Sequence, residues 1–330
     1  MDVTVLFRTH LTEDYPELLN SFAAEHPGIG IEALPEDPSW EARLPEAEVL
    51  VAPPLKESQL QKAPRLRLHI IPFAGVDRVP LGWYREHGVT LASSHGNAPI
   101  VAERAAALAY AAAGRVVEFD RDLRRGLWHR NRSSGRPFDF WHSLRGAPAA
   151  FLGAGAIAQE IARLLRPLLG EIRALRRSSI GTTPPLFDTV TTDLTEAVRD
   201  TRLIVAALPL TSETRGLLRR SHLEAAAKPV FVNVSRAAIV EEETLFSVLN
   251  EGIVSAAGLD VWYRYPDPFW AEQMRSHLPF DELPNVVLSP HAASHAEEGK
   301  IGQLQDTLKI LDRYLRDGGL SDGVDFKRGY

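Results

Sequence analysis

Short apolar runs alternate with amphipathic stretches over the first 97 residues of the chain. The runs are rich in β-branched residues and are bounded by turn-forming residues, which is typical of strands. They are Val3 to Phe7, Ile29 to Leu34, Val49 to Ala52, Leu66 to Phe73 and Val89 to Ser93. Residues 14–26 carry apolar positions at helical spacing, and residues 59–63 suit a shorter helix. This alternation predicts a small open parallel sheet with helices on both faces.

The rest of the chain repeats the alternation on a larger scale. Residues 98–117 are rich in alanine and predict one long helix, and the polar residues 121–146 predict a long surface loop. After an apolar run at 149–152, the β-leaning runs are Leu203 to Ala207, Val230 to Val234, Ile253 to Leu259 and Val286 to Leu288. Helices are predicted at 194–199, 217–226, 241–250 and 299–315. A second doubly wound sheet is therefore expected from about Pro148 to about Pro290.

Composition narrows the class of protein. The chain has 330 residues, 45% of them hydrophobic, which suits two ordinary domains. Its net charge of -6 is spread without long runs, so nucleic acid is not an expected partner. It has no cysteine, which excludes disulfides, thiolate metal sites and a cysteine nucleophile, and we expect no metal site. Since no leader is evident and no apolar run has the length of a membrane span, we expect a cytoplasmic protein without membrane attachment.

The segment Phe151 to Ala158 contains a glycine motif between a predicted strand and a predicted helix. In a dinucleotide site Gly153 would permit the tight turn, Gly155 would let backbone N–H groups approach a pyrophosphate, and Ala158 would pack the helix on the strand. The anion would lie at the positive end of the helix. Alone the motif is a weak signal, but an apolar segment at 172–175 follows at the distance of a βαβ unit.

Seven short motifs occur in the order found in one family, and the chain resembles the D-isomer-specific 2-hydroxyacid dehydrogenases over nearly its whole length. The motifs are Phe73-Ala-Gly-Val-Asp77, Asn97 with Val101-Ala-Glu103, the glycine motif, Leu208-Pro-Leu-Thr-Ser-Glu-Thr214, Val232-Asn-Val-Ser-Arg236, Gly258-Leu-Asp-Val261 and Ser289-Pro-His291. The resemblance implies an α/β protein with two parallel sheets, a nicotinamide cofactor and a homodimer built on the nucleotide-binding domains.

The implied fold has a Rossmann dinucleotide-binding domain at residues 98–292 and a discontinuous flavodoxin-like substrate domain at residues 1–97 and 293–330. A substrate is expected in a cleft between the domains. The implied reaction is the reduction of a 2-oxo acid to a D-2-hydroxy acid with a nicotinamide cofactor, in the manner of glyoxylate and hydroxypyruvate reductases.

The resemblance also implies roles for individual residues. Arg236 would hold the carboxylate and polarise the carbonyl of the 2-oxo acid, which suits a planar and permanently charged guanidinium. His291 would be the general acid that protonates the carbonyl oxygen. Asp260 would hold the nicotinamide carboxamide, with a strand-end cap as the alternative. The remaining implied contacts are Ala74, Gly75, Val76 and Asn97 for the substrate, and Gly153, Gly155, Ala156, Ile157, Leu208, Pro209, Thr214 and Val234 for the cofactor.

A first departure from the family pattern concerns the choice of cofactor. Members that use the unphosphorylated cofactor have an acidic residue where the second strand of the nucleotide-binding sheet ends. Here that position is Arg176, followed by Arg177 and Ser178. Guanidinium and hydroxyl groups would bind a 2'-phosphate that a carboxylate would repel. We therefore expect a preference for NADP(H) over NAD(H), and the alternative is a solvated basic turn.

A second departure concerns the partner of the histidine. Most of the family has a glutamate five residues beyond the equivalent of Asp260, where this chain has Tyr265. A phenol can hydrogen-bond an imidazole but has no charge at neutral pH to raise the pKa of a histidine, so reductase activity is expected to decline at lower pH than in relatives with the glutamate. Asp267, two residues further on, is the alternative partner.

Two other functions remain open at this point. The sequence Asp-Val-Trp-Tyr at 260–263 is similar to that of the formate dehydrogenase branch of the superfamily. The reaction of that branch needs no proton donor. A dinucleotide-sensing binding protein that kept the fold and lost catalysis is the third possibility. For Trp128, Trp141, Trp262 and Trp270, core or loop packing is favoured over a place in a binding cleft.

Overall fold

A computed structural model describes residues 3–34, 37–128, 140–178, 183–265 and 276–330. The chain divides into two compact units. Met1–Ala98 and His295–Tyr330 form the first unit, and Pro99–Ser294 form the second unit. Within the described ranges, no helix combines the length and the apolar character that crossing a bilayer requires. The cytoplasmic location stays a prediction.

The first unit contains a five-stranded parallel sheet. Its strands are β1 (Val3–Phe7), β2 (Ile29–Ala33), β3 (Val49–Val51), β4 (Leu68–Ile71) and β5 (Thr90–Ser93). They lie in the order β2-β1-β3-β4-β5, which is the flavodoxin-like arrangement. Side chains of successive strand residues point to opposite faces, so Val5 and Phe7 join one buried cluster and Leu6 joins another.

Helices cover both faces of this sheet. They are α1 (Leu11–Asp14), α2 (Pro16–Glu25), α3 (Glu57–Leu60), α4 (Leu81–His87), α11 (Glu297–Asp317) and a 3₁₀ helix at Trp40–Glu46. On one face α2 and α11 contribute Phe22 and Leu304, and on the other α4 contributes Trp83 and Tyr84. The loop after β5 is attached to α11, because Asp306 accepts hydrogen bonds from the Ser94 hydroxyl at 2.9 Å and from the His95 N–H at 2.8 Å.

His69 lies fully buried in the middle of β4, between two hydrogen-bonding partners. Its Nε2 is 3.0 Å from the Ala52 carbonyl oxygen, and its Nδ1 is 2.6 Å from the Tyr84 hydroxyl. Since a carbonyl can only accept, Nε2 donates and Nδ1 accepts from the tyrosine, which defines a neutral imidazole. Burial lowers the pKa of His69 from 6.5 to about 4, against a smaller opposite effect of the Ala52 hydrogen bond.

We expect His69 to make the first unit sensitive to acid. The unfolded chain takes up a proton near pH 6.5, whereas the folded chain takes it up only near pH 4, so stability falls as the pH is lowered between these values. At about 1.4 kcal/mol for each pH unit, the loss totals about 3 kcal/mol. Urea unfolding followed from pH 7 to pH 4 measures it. In the His69→Gln variant, this part of the decrease in the free energy of unfolding should disappear. His87 is an exposed histidine of the same unit, so the His87→Gln variant should show the same decrease as the wild type.

The second unit contains a seven-stranded parallel sheet. Its strands are β6 (Ala149–Leu152), β7 (Ile172–Leu175), β8 (Thr189–Thr191), β9 (Leu203–Ala206), β10 (Val230–Asn233), β11 (Ala256–Leu259) and β12 (Val286–Leu288). They lie in the order β12-β11-β10-β9-β6-β7-β8. Counted from β6, this is the Rossmann order with one additional strand. The strand order reverses between β6 and β9, and such a switch point is where open α/β sheets bind ligands.

Helices cover both faces of the second sheet as well. They are α5 (Ala98–Ala113), α6 (Val116–Arg124), α7 (Ala156–Leu165), α8 (Leu194–Val198), α9 (Arg220–Ala225) and α10 (Glu242–Asn250). The helices α5 and α7 pack on the face that carries Phe151, and α8, α9 and α10 pack on the face that carries Phe231. Gly258 of β11 lies so close to α5 that a Cβ there would be 2.7 Å from the Leu108 Cβ. This glycine of the Gly-Leu-Asp-Val motif therefore allows a helix to lie directly on the sheet.

The predicted α/β class with two parallel sheets, of Rossmann and flavodoxin-like type, is confirmed. The prediction of one helix over residues 98–117 is wrong, because α5 ends at Ala113 and α6 begins at Val116. Arg115 between them has the left-handed conformation (φ 51°), which ends a helix. The predicted loop at 121–146 therefore begins inside α6. The elements that were not predicted include α1, α4, β8 and the 3₁₀ helix at Trp40–Glu46.

Candidate functional site

The carboxyl ends of the strands in the second sheet gather most of the residues that the sequence singled out. Gly153 follows β6, Arg176 follows β7, Leu208 lies two residues beyond β9, and Asp260 follows β11. In a parallel sheet these ends share one edge, so residues far apart in the chain become neighbours. The candidate site of the second unit is this edge.

The glycine turn is closed tightly at the switch point. Gly153 has φ +106°, and a Cβ at this position would lie 2.5 Å from the Ala207 carbonyl oxygen, so a larger residue would have to displace backbone. Gly155 precedes α7 in an extended conformation, with nothing within 4 Å of where its Cβ would lie. Ala156 and Ile157 open α7, and no side chain caps its N-terminal N–H groups. An open, uncapped helix N-terminus behind a glycine turn fits a pyrophosphate.

The two arginines after β7 differ in their surroundings. Arg176 is half-buried, and its N–H donates to the Thr191 carbonyl at 2.9 Å, which anchors the backbone to β8. Arg177 is exposed and forms a 2.8 Å ion pair with Glu213, while Ser178 is exposed beside it. Two guanidiniums and a hydroxyl at the end of β7 fit a 2'-phosphate in charge. Glu213, which the sequence motifs do not mark as a site residue, would compete with such a phosphate for Arg177.

The loop after β9 is held by its own threonines. The Thr214 hydroxyl donates to the Pro209 carbonyl at 2.7 Å and accepts from the Thr211 N–H at 2.8 Å. Leu208 is half-buried, and its Cβ would be 3.2 Å from a Cβ on Gly153. Leu208, Pro209 and Thr214 therefore belong to one loop, which has internal hydrogen bonds and lies beside the glycine turn.

Arg236 lies two residues beyond the buried Val234, which follows β10. The Asn233 amide shapes this segment, because it donates to the Arg236 carbonyl at 3.0 Å and accepts from the Ser235 N–H at 3.0 Å. The half-buried guanidinium of Arg236 donates to the Ser235 carbonyl at 2.9 Å. The buried Asn233 side chain thus fixes the backbone that carries the Arg236 guanidinium.

Asp260 is fully buried and binds the segment that contains His291. Its carboxylate accepts hydrogen bonds from the Ala292 N–H at 2.9 Å, from the Ala293 N–H at 3.0 Å and from the Ser289 hydroxyl. This geometry agrees with a strand-end cap, and the contact of Asp260 with the nicotinamide carboxamide stays a prediction. His291 has an exposed side chain and a left-handed backbone (φ 56°).

Tyr265 lies beside His291. Their ring centroids are 5.4 Å apart with an interplanar angle of 52°. The Tyr265 hydroxyl also accepts a long hydrogen bond, 3.4 Å, from the Trp262 N–H. The structure therefore brings these two residues of the predicted catalytic group together. Asp267 and Trp270 lie outside the described residues.

The residues predicted for the substrate belong to the first unit. Ala74, Gly75 and Val76 follow β4, and Gly75 has φ +103°, a conformation that favours glycine. Asn97 follows β5 and is buried, and its Oδ1 has no hydrogen-bond partner among the described residues. Both segments lie at the carboxyl edge of the first sheet, which is the edge where a flavodoxin-like sheet binds ligands.

Comparison with known proteins identifies the family. The model of the D-isomer specific 2-hydroxyacid dehydrogenase, NAD binding domain, matches residues 106–293. The glyoxylate reductase of Aeropyrum pernix is 33% identical over 245 residues, which cover 73% of this chain and 71% of that protein. The chain belongs to the D-isomer specific 2-hydroxyacid dehydrogenase family. It is an NAD(P)-dependent dehydrogenase that takes a nicotinamide dinucleotide, as predicted.

Solved structures show the same fold over the whole chain. An acyclic imino acid reductase in complex with NADPH and D-Arg has a TM-score of 0.80 at 20% identity, and the match covers 98% of this chain and 100% of that one. The NADPH-dependent glyoxylate/hydroxypyruvate reductase of Sinorhizobium meliloti, in complex with NADP and malonate, has a TM-score of 0.75 at 21% identity, with 99% and 98% covered.

Proposed function

We propose that this chain reduces a small 2-oxo acid to the D-2-hydroxy acid with NADPH. The observation that carries the proposal is the arrangement of His291, Asp260 and Arg236 behind neighbouring strands of one parallel sheet. In this proposal His291 is the proton donor and Arg236 is the cation that binds the substrate carboxylate, both at one edge of the sheet. The relative from Aeropyrum pernix, which is named a glyoxylate reductase, supports a short substrate.

Each residue has a defined task in this proposal. The bound nicotinamide would supply the hydride to the carbonyl carbon. His291 gives its proton to the carbonyl oxygen as the alcohol forms, and it regains a proton from solvent. Arg236 binds the substrate carboxylate with two N–H groups and stabilises the negative charge that develops on oxygen. The assignment of Ala74, Gly75, Val76 and Asn97 to the substrate stays a prediction.

The residues around the glycine turn would hold the cofactor. The first-turn N–H groups of α7, from Ala156 and Ile157, suit the pyrophosphate, and Gly153 and Gly155 keep the approach free of side chains. Leu208, Pro209, Thr214 and Val234 are proposed to line the same site. Arg176, Arg177 and Ser178 supply the charge and the hydroxyl for a 2'-phosphate.

A screen of NADPH oxidation with glyoxylate, hydroxypyruvate and larger 2-oxo acids at several pH values tests the proposal. We expect turnover with a short 2-oxo acid and a lower Michaelis constant for NADPH than for NADH. Reduction of NADP⁺ by formate, without turnover of any 2-oxo acid, would replace the proposal with formate oxidation. Tight NADPH binding with slow turnover of every substrate would favour a dinucleotide-sensing protein.

We propose Tyr265 as the neighbour that sets the pH range of His291. Tyr265→Glu is expected to extend activity to higher pH, because a carboxylate beside an imidazole favours its charged form. Tyr265→Phe keeps the ring and should leave the high-pH limb of kcat/KM where it is in the wild type. The pH dependence of kcat/KM for both variants measures the effect. No response to either variant would remove Tyr265 from the site.

We also propose a homodimer formed by the second unit. The surface of α5, of α6 and of the segments after α6 exposes several large apolar side chains. They are Tyr110, Val116, Leu123, Trp128 and Trp141, each 49% to 59% exposed. Large apolar side chains exposed together mark a protein interface. Sedimentation of Leu123→Asp should show a lower mass than that of the wild type, and equal masses would exclude this surface.

A further inference from the structure

The backbone of His291 has a conformation that is uncommon for a residue other than glycine. Its φ of 56° lies in the left-handed region, and among the described residues only three others that are not glycine share a positive φ. Such a conformation costs about 1–3 kcal/mol and persists only where the surroundings enforce it. The contacts of the segment Ser289 to Ala293 show what enforces it.

One support is the buried Asp260. Its carboxylate accepts from the two N–H groups that directly follow His291, those of Ala292 at 2.9 Å and Ala293 at 3.0 Å. Hydrogen bonds to an ionised acceptor are roughly twice as strong as neutral ones. These two hydrogen bonds therefore fix the backbone directly after His291 and stabilise its left-handed conformation.

A second support acts on Ser289, two residues before the histidine. Its hydroxyl donates to Asp260, and its carbonyl accepts from the Trp262 indole N–H at 2.8 Å. The indole is buried and packs edge-on against Phe280, with ring centroids 6.2 Å apart. Trp262 therefore packs in the core, as the sequence favours, and its indole N–H also makes a hydrogen bond to Ser289.

We propose that Trp262 and Ser289 are positioning residues, which act with Asp260 to fix the backbone of His291 and to orient its imidazole. We call these three residues the His291 brace. The inference rests on the proposed role of His291 and goes beyond it, because it assigns the precision of proton transfer to two residues that do not take part in the chemistry. A catalytic group displaced by about 1 Å can lose a factor of about 100 in rate.

Trp262→Phe and Ser289→Ala test the brace. Each removes one hydrogen bond, and the phenylalanine keeps an aromatic ring beside Phe280. We expect kcat for the 2-oxo acid to fall by a factor of about 10 to 100, with the KM of the oxo acid and the Kd of NADPH, measured by calorimetry, within about twofold of the wild type. Amide hydrogen exchange at Ala292 and Ala293 should become faster in Ser289→Ala.

Tyr263→Phe is the matched control. Its hydroxyl donates to the Val240 carbonyl at 2.9 Å, so the variant loses an aromatic hydrogen bond at the next residue without touching the brace. It should keep wild-type kcat and wild-type exchange at Ala292 and Ala293. An active wild type whose Trp262→Phe and Ser289→Ala variants behave like Tyr263→Phe would overturn the brace alone. A wild type that reduces no 2-oxo acid would overturn the proposed function, and the exchange rates would still test the brace.

Discussion

His291→Asn is expected to lower kcat/KM for 2-oxo acid reduction by a factor of about 100 to 10,000, the usual contribution of general acid catalysis. Asparagine is the informative replacement because it adopts the left-handed conformation more readily than most residues. The backbone of the segment that Asp260 binds should therefore keep its conformation. The variant loses the proton donor and keeps the backbone. Steady-state assays at neutral pH measure the loss.

The same substitution at His295 is the control. His295 is an exposed histidine four positions further along the chain and belongs to the first unit. His295→Asn should retain activity within about twofold of the wild type, and NADPH should bind to both variants with wild-type affinity. If His291→Asn keeps its activity, His291 is not the acid and formate-like chemistry becomes the better explanation.

Removing both Arg176 and Arg177 is expected to abolish the preference for NADPH. A hydrogen bond to a charged group contributes about 1.5–3 kcal/mol, and exposure reduces this for Arg177, so Arg176→Ala with Arg177→Ala should raise the Kd of NADPH about 100-fold. The Kd of NADH should change by less than about threefold, because it lacks the 2'-phosphate. Binding titrations with both nucleotides separate the two effects.

Arg163→Ala removes an exposed arginine from α7 that is paired with Glu160, as Arg177 is paired with Glu213, and it should leave both Kd values unchanged. Glu213→Gln should tighten NADPH binding by a factor of about 2 to 5, since exposed ion pairs contribute up to about 1 kcal/mol. A wild type that uses NADH as well as NADPH would contradict the cofactor proposal.

The pattern of apolar runs was sufficient for most elements because strand and helix periods follow directly from which positions are buried. It failed between α5 and α6, where an alanine-rich run continues through Gly114 although the chain turns at Arg115. It also missed β8 at Thr189–Thr191, a short edge strand that pairs with β7 on one side only. Such an element has a weak apolar signal because fewer of its residues are buried.

By itself the sequence determined the two parallel sheets, the glycine turn and the residue types of the site, since these depend on periodicity and on local conformation. It also placed Arg176 where members that use NAD(H) have an acidic residue, and Tyr265 where most of the family has a glutamate. Only the tertiary structure decided that Asp260 binds the segment of His291, that Glu213 pairs with Arg177, and that Trp262 holds Ser289. These contacts join residues 27 to 36 positions apart, and they form because parallel strands bring distant loops to one edge of a sheet.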